Sequence, residues 1–269
     1  MIMKNNLLVL LGLILILPLG CKPAEDCLYC IKRQDIYNNG RLINSRWVVN
    51  DTAIFGNSIF YDSTMKITSI IPYEVDELTG VIQDYYESGV IESMSSWQFG
   101  SREGPTIKFN KNGSVSSIYN FNNYIPSGNA YLYDSTGYLI QYVYFNEIGH
   151  VVLAVNYLDE SKLVQGNSII SAQSAVDGKI LAINDKIVVN LAIATPPGFY
   201  QQAKAFIIDN YNVIIDSISI PLDSKNEAVF ETCFNEPGKY IIKVEHILQK
   251  YNSNFSYSSE YFLNNILVK

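Results

Sequence analysis

Gly80-Val81-Ile82-Gln83-Asp84-Tyr85-Tyr86-Glu87-Ser88-Gly89-Val90-Ile91 is matched 24 residues later by Gly104-Pro105-Thr106-Ile107-Lys108-Phe109-Asn110-Lys111-Asn112-Gly113-Ser114-Val115. Glycine, aromatic, glycine and aliphatic stay in step. A third copy starts at Gly128, with Tyr133, Gly137 and Leu139 in the same places. Seventeen residues after each first glycine comes a further aromatic: Trp97, Phe121 and Phe145. One period back stand Gly56, Tyr61, Ile67 and Tyr73, and one period on stand Tyr157 and Leu163. A fixed period of this length marks one supersecondary unit repeated along the chain.

Within a unit, residues three and five after the first glycine share a face, because strand side chains alternate with period two. The connectors Glu87-Ser88-Gly89, Lys111-Asn112-Gly113 and Ser135-Thr136-Gly137 are polar and end in glycine. They predict short hairpin turns whose last residue has positive φ. Gly56's unit carries Met65 at that place, so its turn is expected to differ. Alternation then resumes, with Val115, Ser117, Tyr119 and Phe121 on one side and Ser116, Ile118 and Asn120 on the other. The unit is a β-hairpin, and five of them predict a twisted antiparallel sheet on the order of 45 Å long. Met94, Ile118 and Tyr142 fall opposite Trp97, Phe121 and Phe145, so neither face is uniformly polar.

The 269-residue chain has room for two modest domains. Hydrophobic residues make up 48% and charged ones 17%, and the net charge is −7. That balance gives no basic footprint for nucleic acid. The 24-residue period ends near Gln165, and short alternating runs follow at 179–183, 187–194, 203–209, 213–220, 228–234, 239–247 and 257–268. Turn signals such as Asn184-Asp185, Pro196-Pro197-Gly198 and Glu236-Pro237-Gly238 lie between them. This predicts a β-sandwich. The fold class is therefore all-β, with a sheet of repeated hairpins over 37–166 followed by a sandwich over 167–269. Cys233 lies in an alternating run and is expected to be a buried free thiol.

The amino terminus reads as a targeting segment. Lys4 precedes an apolar stretch at 7–17, too short to span a membrane. Leu17-Pro18-Leu19-Gly20-Cys21 resembles the lipobox of bacterial lipoproteins, departing from it at Pro18. The resemblance implies a signal peptide at 1–20, acylation of Cys21 and a tether at 21–36; the alternative is an ordinary secretory signal with an incidental cysteine. Removing 1–20 takes away Lys4 alone, making the mature chain one charge more negative, so membrane attachment rests on lipid. Lys22, Glu25 and Asp26 resemble the export signal of Bacteroidetes lipoproteins, which implies an outer-membrane lipoprotein, surface-exposed or periplasmic. Cys27 and Cys30 are spaced for a local disulfide or a redox pair, without a thioredoxin-like context.

The repeat spacings resemble the MORN variant of YwqK-type antitoxin proteins, best at Gly80 with Tyr85-Tyr86-Glu87-Ser88-Gly89-Val90-Ile91. The likeness covers 56–163, with a degenerate copy at Tyr37-Asn38-Asn39-Gly40-Arg41-Leu42. It implies a scaffold sheet and raises immunity against a secreted toxin as one reading. Pro237-Gly238-Lys239-Tyr240-Ile241-Ile242-Lys243-Val244 resembles the late strand of immunoglobulin-like adhesion modules, a sandwich of other topology being the alternative.

No constellation of catalytic residues is legible. His150 and His246 are 96 positions apart without companion ligands, so no metal site and no cofactor is expected. Glu92, Glu103 and Glu147 fall at different phases of the repeat and form no carboxylate row. The candidate binding residues are Leu132, Tyr142 and Tyr144, placed on the less buried face of the sheet; the alternative is that they pack beneath the sandwich. Loops 196–200 and 251–255 come next. The expected function is a non-enzymatic envelope lipoprotein presenting a protein- or glycan-interaction surface. An immunity protein and a glycan-processing enzyme are the alternatives.

Overall fold

Within the hairpins, the repeated strand positions meet one another across strand pairs. In a computed structural model, which describes residues 31–159, 163–174, 180–222 and 227–269, Gly56 lies opposite Tyr73, Gly80 opposite Trp97, Gly104 opposite Phe121 and Gly128 opposite Phe145. A large ring beside a glycine restores the packing that the missing side chain forgoes. Tyr61 pairs with Ile67, Tyr85 with Ile91, Phe109 with Val115 and Tyr133 with Leu139. Aromatic–aliphatic pairs of this kind contribute roughly 0.2–1 kcal/mol each. The signal segment, Cys21, Cys27 and Cys30 lie outside the described residues.

In chain order the strands are β1 (Ile31–Asn38), β2 (Arg41–Val49), β3 (Ala53–Ile54), β4 (Gly56–Tyr61), β5 (Ile67–Glu74), β6 (Glu77–Leu78), β7 (Gly80–Tyr85) and β8 (Ile91–Gln98). There follow β9 (Ser101–Phe109), β10 (Val115–Asn122), β11 (Ile125–Pro126), β12 (Gly128–Tyr133), β13 (Leu139–Phe145), β14 (Val151–Asn156) and β15 (Val164–Gly166). They form one antiparallel meander in the order β1-β2-β4-β5-β7-β8-β9-β10-β12-β13-β14-β15, with β3, β6 and β11 hanging on β2, β5 and β10. Twelve strands span about 53 Å. Neither apolar core of the described residues contains a residue before Tyr131, so most of this sheet is a single layer. Residues 31–36, expected in the tether, are edge strand: Ile31 pairs with Val49 and Ile36 with Asn44.

The hairpin turns at one end share one geometry. Gly89 N–H donates to Tyr86 C=O at 2.8 Å while Tyr86 N–H donates to Val90 C=O at 2.9 Å, and Gly113 and Gly137 repeat the pattern. Their φ values of 83°, 82° and 91° require the left-handed region. Contrary to expectation, Met65 closes the same turn. Its N–H donates to Asp62 C=O at 3.2 Å and its φ is 66°. Asp62 holds it there, its Oδ1 accepting from the Thr64 and Lys66 N–H groups at 2.7 and 3.0 Å.

The sandwich comprises β16 (Ile169–Ser174), β17 (Ile180–Leu181), β18 (Ile187–Ile193), β19 (Phe199–Ile208), β20 (Ile214–Ile220), β21 (Glu227–Thr232), β22 (Gly238–Lys250) and β23 (Ser256–Val268). One sheet runs β16-β18-β21 and the other β17-β23-β22-β19-β20, with β17 parallel to β23. Alternate residues turn inward: Ile187, Val189, Leu191 and Ile193 from one sheet meet Ala205, Ile207, Ile242 and Val244 from the other. Cys233, expected inside, is exposed, because β21 stops at Thr232. The larger Phe234 takes the buried place and stacks on Tyr240 at 4.1 Å.

Candidate functional site

Tyr142, expected as an exposed contact, is fully buried, 0% exposed. With Leu153, Val155 and Leu163 it packs on Ala194, Phe199 and Leu248 of the sandwich, while Tyr131, Tyr144, Tyr157 and Phe255 close the rim. Its hydroxyl donates to Asn129 Oδ1 at 2.7 Å, and burial raises its pKa well above the ordinary phenol value. Tyr144 is half-buried against the same cluster. Leu132 is not on that face at all. It lies opposite Gln141, whereas Tyr142 lies opposite Tyr131, so Leu132 points to the other side of the sheet. The expected three-residue patch therefore dissolves into a domain junction plus one residue on the opposite face.

That opposite face carries a different constellation. Registered pairing puts Tyr73 on β5, Trp97 on β8, Phe121 on β10 and Phe145 on β13 along one side of the sheet. Trp97 and Arg102 are cross-strand partners, and the Arg102 guanidinium lies 4.0 Å from the centroid of Phe121. Arg102 thus stacks on Phe121 in a cation–π geometry, with Trp97 as its cross-strand neighbour. Tyr119 stands 6.5 Å from Phe121 and 6.1 Å from Phe145, and Tyr124 meets Trp97 edge-on at 5.5 Å.

The floor beneath these rings is made of hydroxyls. Trp97 Nε1 donates to Ser95 Oγ at 2.9 Å, and Arg102 Nε donates to Thr106 Oγ1 at 3.1 Å. Ser95, Thr106 and Ser117 are buried under the rings, while the rings themselves remain half-exposed. Burial lowers Arg102 from its ordinary value without discharging it. Among the described residues no carboxylate forms an ion pair with it. A flat apolar row with one cation, open above, can stack on a planar partner and hold an anionic or hydroxyl-rich group. In the sequence, Trp97, Phe121 and Phe145 stand out as members of the period, which gives them structural roles. Arg102 does not stand out, its only signal being its place two residues before Gly104.

Two other surface features offer less. A shallow depression of about 650 Å³ on the sheet is lined by Ser69, Asp84, Glu92, Ser93 and Lys108. Both Asp84 oxygens are engaged there, by Ser69 Oγ at 2.7 Å and Ser93 Oγ at 2.8 Å. An open depression of about 600 Å³ at the sandwich tip is lined by Tyr200 and Tyr251, from the loops at 196–200 and 251–255. Among the described residues no three His, Cys, Asp or Glu side chains gather as metal ligands. No protein-family model, curated protein or solved structure matches this chain.

Proposed function

We propose that this protein is a non-enzymatic cell-envelope lipoprotein, anchored at the outer membrane through lipid on Cys21, that offers the open aromatic face of its repeat sheet to a glycan or protein partner. The observation carrying this reading is the row Trp97, Arg102 and Phe121, flanked by Tyr119 and Phe145, with no layer of the described residues above it. Repeat aromatics on every second strand stand about 10 Å apart. Such spacing suits a partner with recurring flat faces and hydroxyl edges, which favours a glycan chain, and Arg102 favours one bearing carboxylates. In the sandwich β18 pairs with β21, and in the other sheet β22 lies between β19 and β23, neighbour relations that immunoglobulin-like modules share. Those relations support its reading as an adhesion-type module carrying the sheet.

The test is titration of the purified protein with neutral and uronic-acid-containing soluble glycans. Trp97→Ala and Arg102→Gln are expected to weaken binding about tenfold or more, the latter chiefly for the uronic ligands, with far-UV circular dichroism unchanged. Tyr211→Ala, on the sandwich and 80% exposed, is expected to bind as the parent does. Undiminished binding by Trp97→Ala contradicts the proposal. For the anchor, Cys21→Ser is expected to move the protein to the soluble fraction, and persistent membrane attachment would count against lipidation.

A further inference from the structure

The repeat sheet begins on β1, which has β2 as its sole strand neighbour among the described residues. The outer edge of this eight-residue strand therefore presents N–H and C=O groups that no other described strand engages, and seven of its residues are exposed. Such an edge accepts another strand unless proline, a bulge or unmatched charge blocks it. β1 contains no proline, and the irregularity in its pairing adds the extra residue, Ile43, to β2 rather than to β1. Its cations are drawn back: Lys32 Nζ lies 3.1 Å from Asp51, and Arg33 Nε donates to Asp35 Oδ1 at 2.9 Å.

We infer that β1 pairs antiparallel with β1 of a second copy of this chain about a two-fold axis at Gln34, so that one sheet runs through two molecules. A symmetric antiparallel pair must set one residue opposite its own copy. With Gln34 at the axis, Arg33 faces Asp35 of the second copy and Asp35 faces its Arg33. Ile31, 54% exposed, then faces Tyr37, 61% exposed, and the two Gln34 amides meet. Shifting the axis to Arg33 opposes two guanidiniums, and shifting it to Asp35 opposes two carboxylates. Like charges directly opposite are destabilising. Only the axes at Gln34 and Asp35 pair seven residues of β1, and of these two the charge order selects Gln34. A single strand pair buries little area, so the dimer forms reversibly.

The experiment uses the full chain in detergent, with Cys27, Cys30 and Cys233 changed to Ser and one cysteine introduced on β1. Directly opposed residues are about 4.5–5.5 Å apart at Cα, within the reach of a disulfide. Mild oxidation of Gln34→Cys is expected to give a covalent dimer on non-reducing electrophoresis. Tyr37→Cys, about 20 Å from its own copy in this register, is expected to stay monomeric. Adding Arg33→Asp to Gln34→Cys is expected to remove most of the dimer band, and adding Asp35→Arg as well to restore it. Sedimentation of the unsubstituted chain is expected to show mass rising with concentration. Equal cross-linking at Gln34 and Tyr37, no cross-linking at Gln34, or a monomer at every concentration overturns the inference.

Discussion

His246 sits fully buried midway along β22, between Tyr240, Ile242 and Val244 in the sandwich core and Leu248 in the junction core. Its Nδ1 lies 2.8 Å from Ser168 Oγ, which in turn lies 2.8 Å from Ser259 Oγ. Ser168 joins the repeat sheet to the sandwich, so this polar cluster ties the two at their connection. Nε2 is buried without a hydrogen-bond partner among the described residues, and burial pulls the imidazole pKa down from 6.5 to about 4. The neutral form is favoured in the fold, so between those values the unfolded chain binds more protons than the native one. Stability from this residue is therefore complete above pH 6.5 and lost as pH falls toward 4, by about 3 kcal/mol at most. Denaturant unfolding should show that loss, and His246→Gln should remove most of it. Equal pH slopes in both proteins would contradict the assignment. None of this was legible in the sequence, because Ser168 is 78 residues from His246 and becomes its neighbour through the fold alone.

The hairpin is the element whose sequence is most transparent, since each recurring residue has its recurring partner in register. Its turns are where residue type and backbone disagree. Met65 occupies a left-handed position that a side chain disfavours by roughly 1–2 kcal/mol. Met65→Gly is expected to stabilise the sheet by about 1 kcal/mol, since no other feature of that turn changes. Gly113→Val is expected to cost more than about 1 kcal/mol, and Tyr133→Phe to be nearly neutral. Thermal unfolding should place Met65→Gly highest, Tyr133→Phe next and Gly113→Val lowest; a Tyr133→Phe variant less stable than Gly113→Val would mean that the register is wrong. The opposite end of the sheet escaped sequence reading. There Val75-Asp76, Phe99-Gly100 and Asn123-Tyr124 form two-residue turns with both φ values positive, and Val and Phe carry no turn signal. Their strain is offset between units. Asp76 N–H donates to Ile54 C=O at 2.9 Å, Gly100 to Leu78 at 2.9 Å and Tyr124 to Arg102 at 3.2 Å, a contact that recurs with the repeat.

Among the described residues, a single-layer sheet is closed at one end by the sandwich and has no second layer elsewhere. Alternation in the sequence located seven of the eight sandwich strands, missing β16, and the period located the sheet. Neither could say which face the sandwich would cover, because Tyr142 and Phe121 are both aromatics in alternating strands. The covered face is the one bearing Tyr142, where Leu153, Val155, Phe199 and Leu248 supply the apolar area. Tyr142→Ala should open that junction at a cost of about 3–5 kcal/mol. Calorimetry is then expected to show the sheet and sandwich melting in separate transitions, and a single unshifted transition would deny the junction this role. The uncovered face is the one assigned to the partner. Hydroxyl-radical footprinting of the protein on intact cells, compared with the purified protein, tests that assignment whatever the ligand is. Trp97, Tyr119, Phe121 and Phe145 are expected to be protected on cells, while Tyr138 and Tyr211, 75% and 80% exposed, label equally in both. Equal labelling of the four face aromatics in the two samples would contradict the account.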